Sequence, residues 1–352
     1  MQYPLSNLRI REISPLLAPR EIKQCYPVTD MQCDKIIENR KTIAKIIRRE
    51  DCRVLMIVGP CSIHDTQAGL EYAQRLAELQ EKLPNLYIVM RVYFEKPRTQ
   101  LGWRGLLVDP HLNGSNDFQH GIQEARKLLL RIAEVGIPVG SEFLDPIVPQ
   151  YLDDLICWAA IGARTIESQT HRDMASGLSM PVGFKNSTYG NIRVAVDAVL
   201  SAGQRKSFLG VDQEGRIALF HTTGNDAGHL ILRGGSDGPN YFRQHVEDAE
   251  ALFRKYKLNP AIMIDCSHGN SRKKHKNQAT VLRAFFLNRK EIGNILVGLM
   301  LESNLKEGRQ DIVNGKHNLI YGMSVTDSCI GWDETVRLLQ YAQEAAQQYE
   351  CT

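Results

Sequence analysis

The chain has 352 residues, 43% of them apolar and 24% charged, and carries a net charge of +3. This ordinary globular mixture excludes disordered and fibrous classes, and roughly 150 residues per domain allows two domains or one decorated (β/α)8 barrel. So small a charge argues against a dedicated nucleic-acid binder, and the longest apolar run, 295–301, is far below the roughly 20 residues of a bilayer span.

The N-terminus mixes charge and apolarity and lacks a signal-peptide core. Eight cysteines, at 25, 33, 52, 61, 157, 266, 329 and 351, form no CxxC pair and no disulfide framework. Both features point to a reducing cytoplasm with mostly structural thiols.

Residues 1–50 form an appendage. The stretch 5–30 is broken by three prolines and reads as an arm with short helices, and Ile36, Ile43, Ile46 and Ile47 then share one helical face that must dock on something. From Val54 onward, β-rich apolar runs recur at 54–58, 87–93, 137–143, 159–165, 181–185, 229–233, 261–265 and 295–301. Amphipathic stripes lie between and after them: Tyr72, Leu76, Leu79 and Leu83; Ile122, Ala125, Leu128, Leu129 and Ile132; and Val336, Leu339, Ala342 and Ala346. Strands that are apolar throughout and alternate with helices indicate a parallel sheet covered by helices, and eight such units indicate closure into a TIM barrel over 51–352. No GxGxxG follows the first run, so a dinucleotide-binding sheet is not supported. Residues 207–223 do not fit the rhythm. Two apolar runs flank Asp212-Gln213-Glu214-Gly215, indicating an inserted β-hairpin, although Phe208-Leu209 could instead belong to a barrel strand.

Barrel chemistry takes place at the C-terminal ends of the strands. Cys61 follows the first run, Glu95-Lys96-Pro97-Arg98-Thr99 the second, and Glu142, Arg164, Lys185 and Arg233 close the next four. His268 follows the seventh, Glu302 the eighth, and Asp327 lies farther on. Each alone has a bland reading, a solvated cation or a packed thiol, but a polar or reactive group at every strand end is hard to explain that way. Arg91, Lys96, Arg98, Arg164, Lys185 and Arg233 would crowd one barrel mouth with cations, which suits a ligand bearing several phosphate or carboxylate groups. Lys185 could alternatively form a Schiff base. Cys61, His268, Glu302 and Asp327 mix thiolate, imidazole and carboxylate, a set suited to one divalent Mn2+, Fe2+, Co2+ or Zn2+.

Together these stretches resemble the 3-deoxy-D-arabino-heptulosonate 7-phosphate (DAHP) synthases of the class I microbial type with a short N-terminal extension. The resemblance runs nearly end to end, through GPCSIHD (59–65), MRVYFEKPRT (90–99), GWRGLLVDP (102–110), the stretch 161–186, GHLILRGG (228–235), MIDCSHGNS (263–271), GLMLESNLKEG (298–308) and YGMSVTDSCIGW (321–332). It implies condensation of phosphoenolpyruvate with erythrose 4-phosphate and water, the entry step of the shikimate pathway. By resemblance, Cys61, His268, Glu302 and Asp327 bind the metal, and Arg91, Lys96, Arg164, Lys185 and Arg233 hold phosphoenolpyruvate. Lys96, Pro97, Arg98, Thr99 and Asp327 line the erythrose 4-phosphate site. Lys96, Glu142 and His268 are the candidates for moving protons.

The resemblance also implies feedback by an aromatic amino acid, through Pro149, Gln150, Ser179, Phe208 and Gly210, and a homodimer or homotetramer. Gly210 is similar to tyrosine-sensitive members. Relatives commonly differ at Ile166, Ser187, Tyr189 and Arg104; the change after Lys185 is the most serious. Two alternatives stand beside this reading. One is a 3-deoxy-D-manno-octulosonate 8-phosphate synthase-like enzyme, which KPRT and the long arm disfavour. The other is a non-catalytic sensor of aromatic amino acids, which has no need of the metal set. The basic run 272–276 is a solvated loop rather than a nucleic-acid site.

Overall fold

The computed structural model describes residues 5–98, 101–313, 315 and 318–348. Eight parallel strands close into a barrel: β1 (Val54–Gly59), β2 (Leu86–Arg91), β3 (Val139–Glu142), β4 (Trp158–Ile161), β5 (Val182–Lys185), β8 (Gly228–Leu232), β9 (Ile262–Asp265) and β10 (Leu296–Glu302). The ring runs in chain order, and the first and last strands meet, with Leu55 opposite Gly298 and Gly59 opposite Glu302. Each strand faces helices outside and side chains inside, which is why the apolar runs are unbroken. Arg164 is an exception to the expected boundaries. β4 ends at Ile161, and Arg164 stands in the turn beyond it.

The remaining strands, β6 (Ser207–Val211) and β7 (Ile217–His221), form a separate antiparallel hairpin with Phe208 opposite Phe220, so Phe208-Leu209 is not part of the barrel. Helices α1 (Pro19–Cys25) and α2 (Asp30–Arg48) precede β1. Thr29 caps α2, accepting from Gln32 N, and Ile43, Ile46 and Ile47 are buried at 2% exposure or less. Burying each such side chain contributes roughly 1.5–3 kcal/mol. Arg40 on α2 donates to the carbonyls of Asp153 and Ile156, just ahead of β4. The arm therefore sits at the end where strands enter, opposite the catalytic mouth. The hairpin turn meets it: Arg20 N donates to Gln213 O, and Arg20 pairs with Glu214.

Cys25, Cys33, Cys61, Cys157, Cys266 and Cys329 are free thiols, in keeping with mostly structural thiols, whereas Cys52 is disulfide-bonded and departs from that expectation. Among the described residues no helix is long and apolar enough to cross a membrane.

Candidate active site

The pairing of β1 with β10 determines the first cluster. Gly59 lies opposite Glu302, so Cys61, two residues past β1, comes to rest beside the carboxylate that ends β10. Asp327 belongs to the irregular stretch after β10, which is folded back by bridges pairing Ser303 with Ile330 and Gly308 with Cys329. Cys61 Sγ and one carboxylate oxygen each from Glu302 and Asp327 lie within 4.8 Å of one another. His268 is not part of that mutual group, although its Nε2 lies 3.8 Å from Glu302 Oε1. A thiol, two carboxylates and a neighbouring imidazole fit a borderline divalent cation and suit neither Ca2+ nor Mg2+. Burial pushes the Cys61 thiol up to about 11, and Glu302 adds to the effect. A bound cation would have to displace that proton.

Arg91 ends β2 and is fully buried; its Nη2 donates to Glu302 Oε1 at 2.9 Å and its Nε to Pro60 O at 3.1 Å. It is thus committed to holding the Glu302 carboxylate of the candidate metal cluster. Lys96 Nζ lies 3.1 Å from Cys61 Sγ and 3.2 Å from Cys61 O. Lys185 Nζ, at the end of β5, is 3.3 Å from Asp265 Oδ2. Arg233 follows β8, half-buried, and its backbone N donates to Asn186 Oδ1. Burial lowers its pKa, Asp265 opposes that shift, and nearby Arg164 reinforces it.

Lys96 also lines a cavity of about 470 Å3 with Glu95, Pro97, Arg98, Arg104 and Asp145. Arg98 Nε donates to Trp103 O, which anchors the guanidinium against the cavity wall. Thr99 lies outside the described residues. Glu142 ends β3 and is 7% exposed, with its carboxylate packed directly against Gly162, where a Cβ would displace it. The altered loop after Lys185 closes on itself: Gly190 N donates to Ser187 O, and Asn191 N to Ser187 Oγ. Tyr189 is 74% exposed and directs its bulk to solvent, and Ile166 is buried packing.

Asp265 and Tyr93 are not singled out by the sequence, and Glu95 is marked there only as a strand-end group without a role. Asp265 ends β9, fully buried, and its Oδ2 reaches His268 Nδ1 at 2.9 Å. Burial would raise its pKa, but His268 and Lys185 outweigh that and hold the carboxyl well below the usual range. Tyr93 lies under Arg91, whose Cζ is 3.5 Å from the ring centroid. Glu95, 6% exposed, accepts only long contacts from Leu144 N and Asp145 N, and burial followed by Asp145 raises its pKa to about 7. The i, i+2 spacing of Arg91 and Tyr93 along an extended chain was the available signal for Tyr93.

The five candidate effector residues are only partly gathered. Gln150 O and Oε1 accept from Gln213 Nε2 of the hairpin turn, and Pro149 is buried next to Gln150. Phe208 stacks on Phe220 at 5.5 Å, and a Cβ at Gly210 would come within 2.9 Å of that Phe220 ring. Ser179 lines a separate cavity of about 380 Å3 with Arg40, Lys41, Lys45 and Arg48.

A barrel whose mouth joins a thiol–carboxylate cluster to several buried cations defines a class of enzymes acting on small anionic substrates with a divalent metal. Residues 28–340 match the model of the DAHP synthetase I family. The chain is 48% identical over 337 residues to the Tyr-sensitive phospho-2-dehydro-3-deoxyheptonate aldolase of Escherichia coli (strain K12), covering 96% of this chain and 94% of that protein. It is equally 48% identical, over 341 residues and 97% of each chain, to the Phe-sensitive enzyme of the same strain. A solved phospho-2-dehydro-3-deoxyheptonate aldolase from Francisella tularensis SCHU S4 superposes with a TM-score of 0.94 at 47% identity, covering 96% of this chain and 98% of that one. The chain belongs to the DAHP synthetase I family.

Proposed function

We propose that the protein condenses phosphoenolpyruvate with erythrose 4-phosphate and water, giving DAHP and phosphate at the head of aromatic amino acid biosynthesis. The observation that carries this reading is Lys96, whose ammonium touches the Cys61 thiol while its side chain lines the Pro97–Arg98 cavity. One residue thus joins a metal-type donor cluster to an anion-binding space. A divalent ion held by Cys61, Glu302 and Asp327, with His268 alongside, would polarise the aldehyde of the sugar phosphate.

The chain's own groups do the rest. Arg164, Lys185, Arg233 and Arg91 neutralise and orient phosphoenolpyruvate, and Arg98 faces the second phosphate. The enol carbon bonds to the aldehyde carbon, water adds to the carbon bearing the phosphate oxygen, and phosphate leaves. Lys96 Nζ, a buried ammonium, is placed to give a proton to the new alkoxide. Glu142, packed against Gly162, is placed to take one from the attacking water. His268 keeps Nε2 toward the cluster because Asp265 occupies Nδ1.

Residues 51–352 are the catalytic unit, and 1–50 with the hairpin serve assembly and feedback. Leu209 and Ile217 on the hairpin are 74% and 82% exposed, apolar surface that suits contact with further copies in a homodimer or homotetramer. Gly210, by its resemblance to tyrosine-sensitive members, supports tyrosine as the effector, and it stands against the Phe220 ring of the hairpin. The free thiols at Cys25 and Cys33 suit a cytoplasmic enzyme. The test is phosphate release from the two substrates with and without chelator, repeated with tyrosine, phenylalanine and tryptophan. Turnover with arabinose 5-phosphate and none with erythrose 4-phosphate would overturn the assignment, as would full activity in chelator.

A further inference from the structure

Tyr93 stands two residues beyond β2, is 1% exposed, and has two features the mechanism above leaves unused. Its ring is the meeting point of three cations: Arg91 Cζ at 3.5 Å from the centroid, Lys185 Nζ at 5.8 Å and Lys96 Nζ at 5.9 Å. Like charges so close repel one another, and the negative face of an aromatic ring offsets part of that repulsion while no anion is bound. Its hydroxyl is buried and, among the described residues, has no hydrogen-bond partner.

Buried polar groups are almost always paired, so an orphaned hydroxyl calls for an explanation. Two other atoms at this mouth, Asp265 Oδ2 and His268 Nδ1, also lack a hydrogen bond by geometry, but they face each other as an ion pair at 2.9 Å, a compensation the Tyr93 hydroxyl does not have among the described residues. Burial, only partly opposed by Arg91, pushes the phenol well above its ordinary pKa, so it stays protonated and acts as a donor. A neutral donor among three cations matches an anionic oxygen that arrives with a ligand.

We propose that Tyr93 is a phosphoenolpyruvate-contacting residue: its ring gathers Arg91, Lys96 and Lys185, and its hydroxyl donates to an oxygen of the bound substrate. This rests on the functional reading above for the identity of the anion. The ring sets where the cations stand before binding; the hydroxyl completes the polar cage on binding.

The test compares Tyr93→Phe and Tyr93→Leu with the parent, all loaded with Mn2+. Phosphoenolpyruvate binding is followed by intrinsic tryptophan fluorescence without the second substrate, beside steady-state kinetics and thermal melts. Tyr93→Phe removes only the orphaned oxygen. It should weaken phosphoenolpyruvate binding about tenfold, leave KM for erythrose 4-phosphate within about twofold, and leave the melting temperature of the ligand-free protein unchanged or higher. Tyr93→Leu should weaken binding further and steepen its salt dependence. Phosphoenolpyruvate binding by Tyr93→Phe within twofold of the parent overturns the proposal, as does a lowered melting temperature with unchanged binding. The functional reading fails separately. A parent that binds phosphoenolpyruvate but never consumes it, with binding still weakened in Tyr93→Phe, refutes the reaction and leaves the role of Tyr93 standing.

Discussion

Asp265 holds His268 by one edge of its ring, with Oδ2 2.9 Å from Nδ1, which leaves Nε2 as the nitrogen turned toward Glu302. His268 sits in the left-handed region, with φ of 51°, a backbone conformation a bulky residue adopts only when its surroundings compel it. Carboxylates in this position orient a ligating imidazole and raise its basicity. Asp265→Asn should therefore lower metal affinity or turnover by about 10–100-fold while the barrel still folds. Metal titration and steady-state rates at saturating substrate check this; parental values for both would show that the contact is packing only.

Cys61 is the soft donor in an otherwise oxygen-rich cluster. Cys61→Ser should leave a protein that purifies with little transition metal and has lost at least about a hundredfold in kcat. In the parent, each ion must displace a thiol proton held up to about 11 by burial. Metal affinity should then climb by about tenfold per pH unit across the neutral range. Competition with a chromophoric chelator at several pH values reads both effects. A pH-independent affinity would remove Cys61 from the ligand set.

Glu95 faces the cavity that holds Lys96 and Arg98, and its pKa is raised from 4.5 to about 7. In the unfolded chain the group ionises near 4.5, so between 4.5 and about 7 the folded state holds the extra proton. Its contribution to stability is complete below 4.5 and is lost as pH rises toward 7. Above 7 the new negative charge stands beside the cations, so KM for erythrose 4-phosphate should rise through the neutral range. Glu95→Gln, which cannot ionise, should flatten that rise and keep KM near its low-pH value. Identical pH profiles for the two proteins would refute the coupling.

Gly210 lies where a Cβ would meet the Phe220 ring at 2.9 Å. Gly210→Ser should tilt that ring off Phe208 and raise the tyrosine concentration for half-inhibition by about tenfold, a loss of roughly 1.4 kcal/mol. The mouth is built from other elements, so kcat should stay within twofold. Inhibition curves with tyrosine and phenylalanine decide the matter; an unshifted tyrosine curve would dissociate the hairpin from feedback.

Much of this architecture was legible in the residues because buried parallel strands are continuously apolar and end abruptly in charge. Lys185 and Glu302 stand out at the ends of such runs. Asp265 also ends one, but beside the more conspicuous Cys266 and His268 it passed as part of the motif. Tyr93 was hidden for another reason: an aromatic among valines and a phenylalanine reads as core, and only the cations packed on its ring distinguish it. Asp327 follows no period at all. It comes from an irregular stretch whose return depends on isolated bridges at Ser303 and Gly308, so only its carboxylate chemistry and the family resemblance point to it, not its spacing. Arg164 was placed on a strand because AAIGART continues apolar past Ile161, where the backbone has already turned.

The seam between β1 and β10 has a consequence for biosynthesis. Gly59 and Glu302 face each other across it, so the thiol and the carboxylate of the metal cluster meet only when the ends of the barrel find one another. A ribosome that has released β1 must still deliver more than two-thirds of the chain before that contact can form. A nascent or truncated product lacking β10 has every other strand and no cluster. With a divalent ion held there as proposed, chelatable metal would report closure of the barrel.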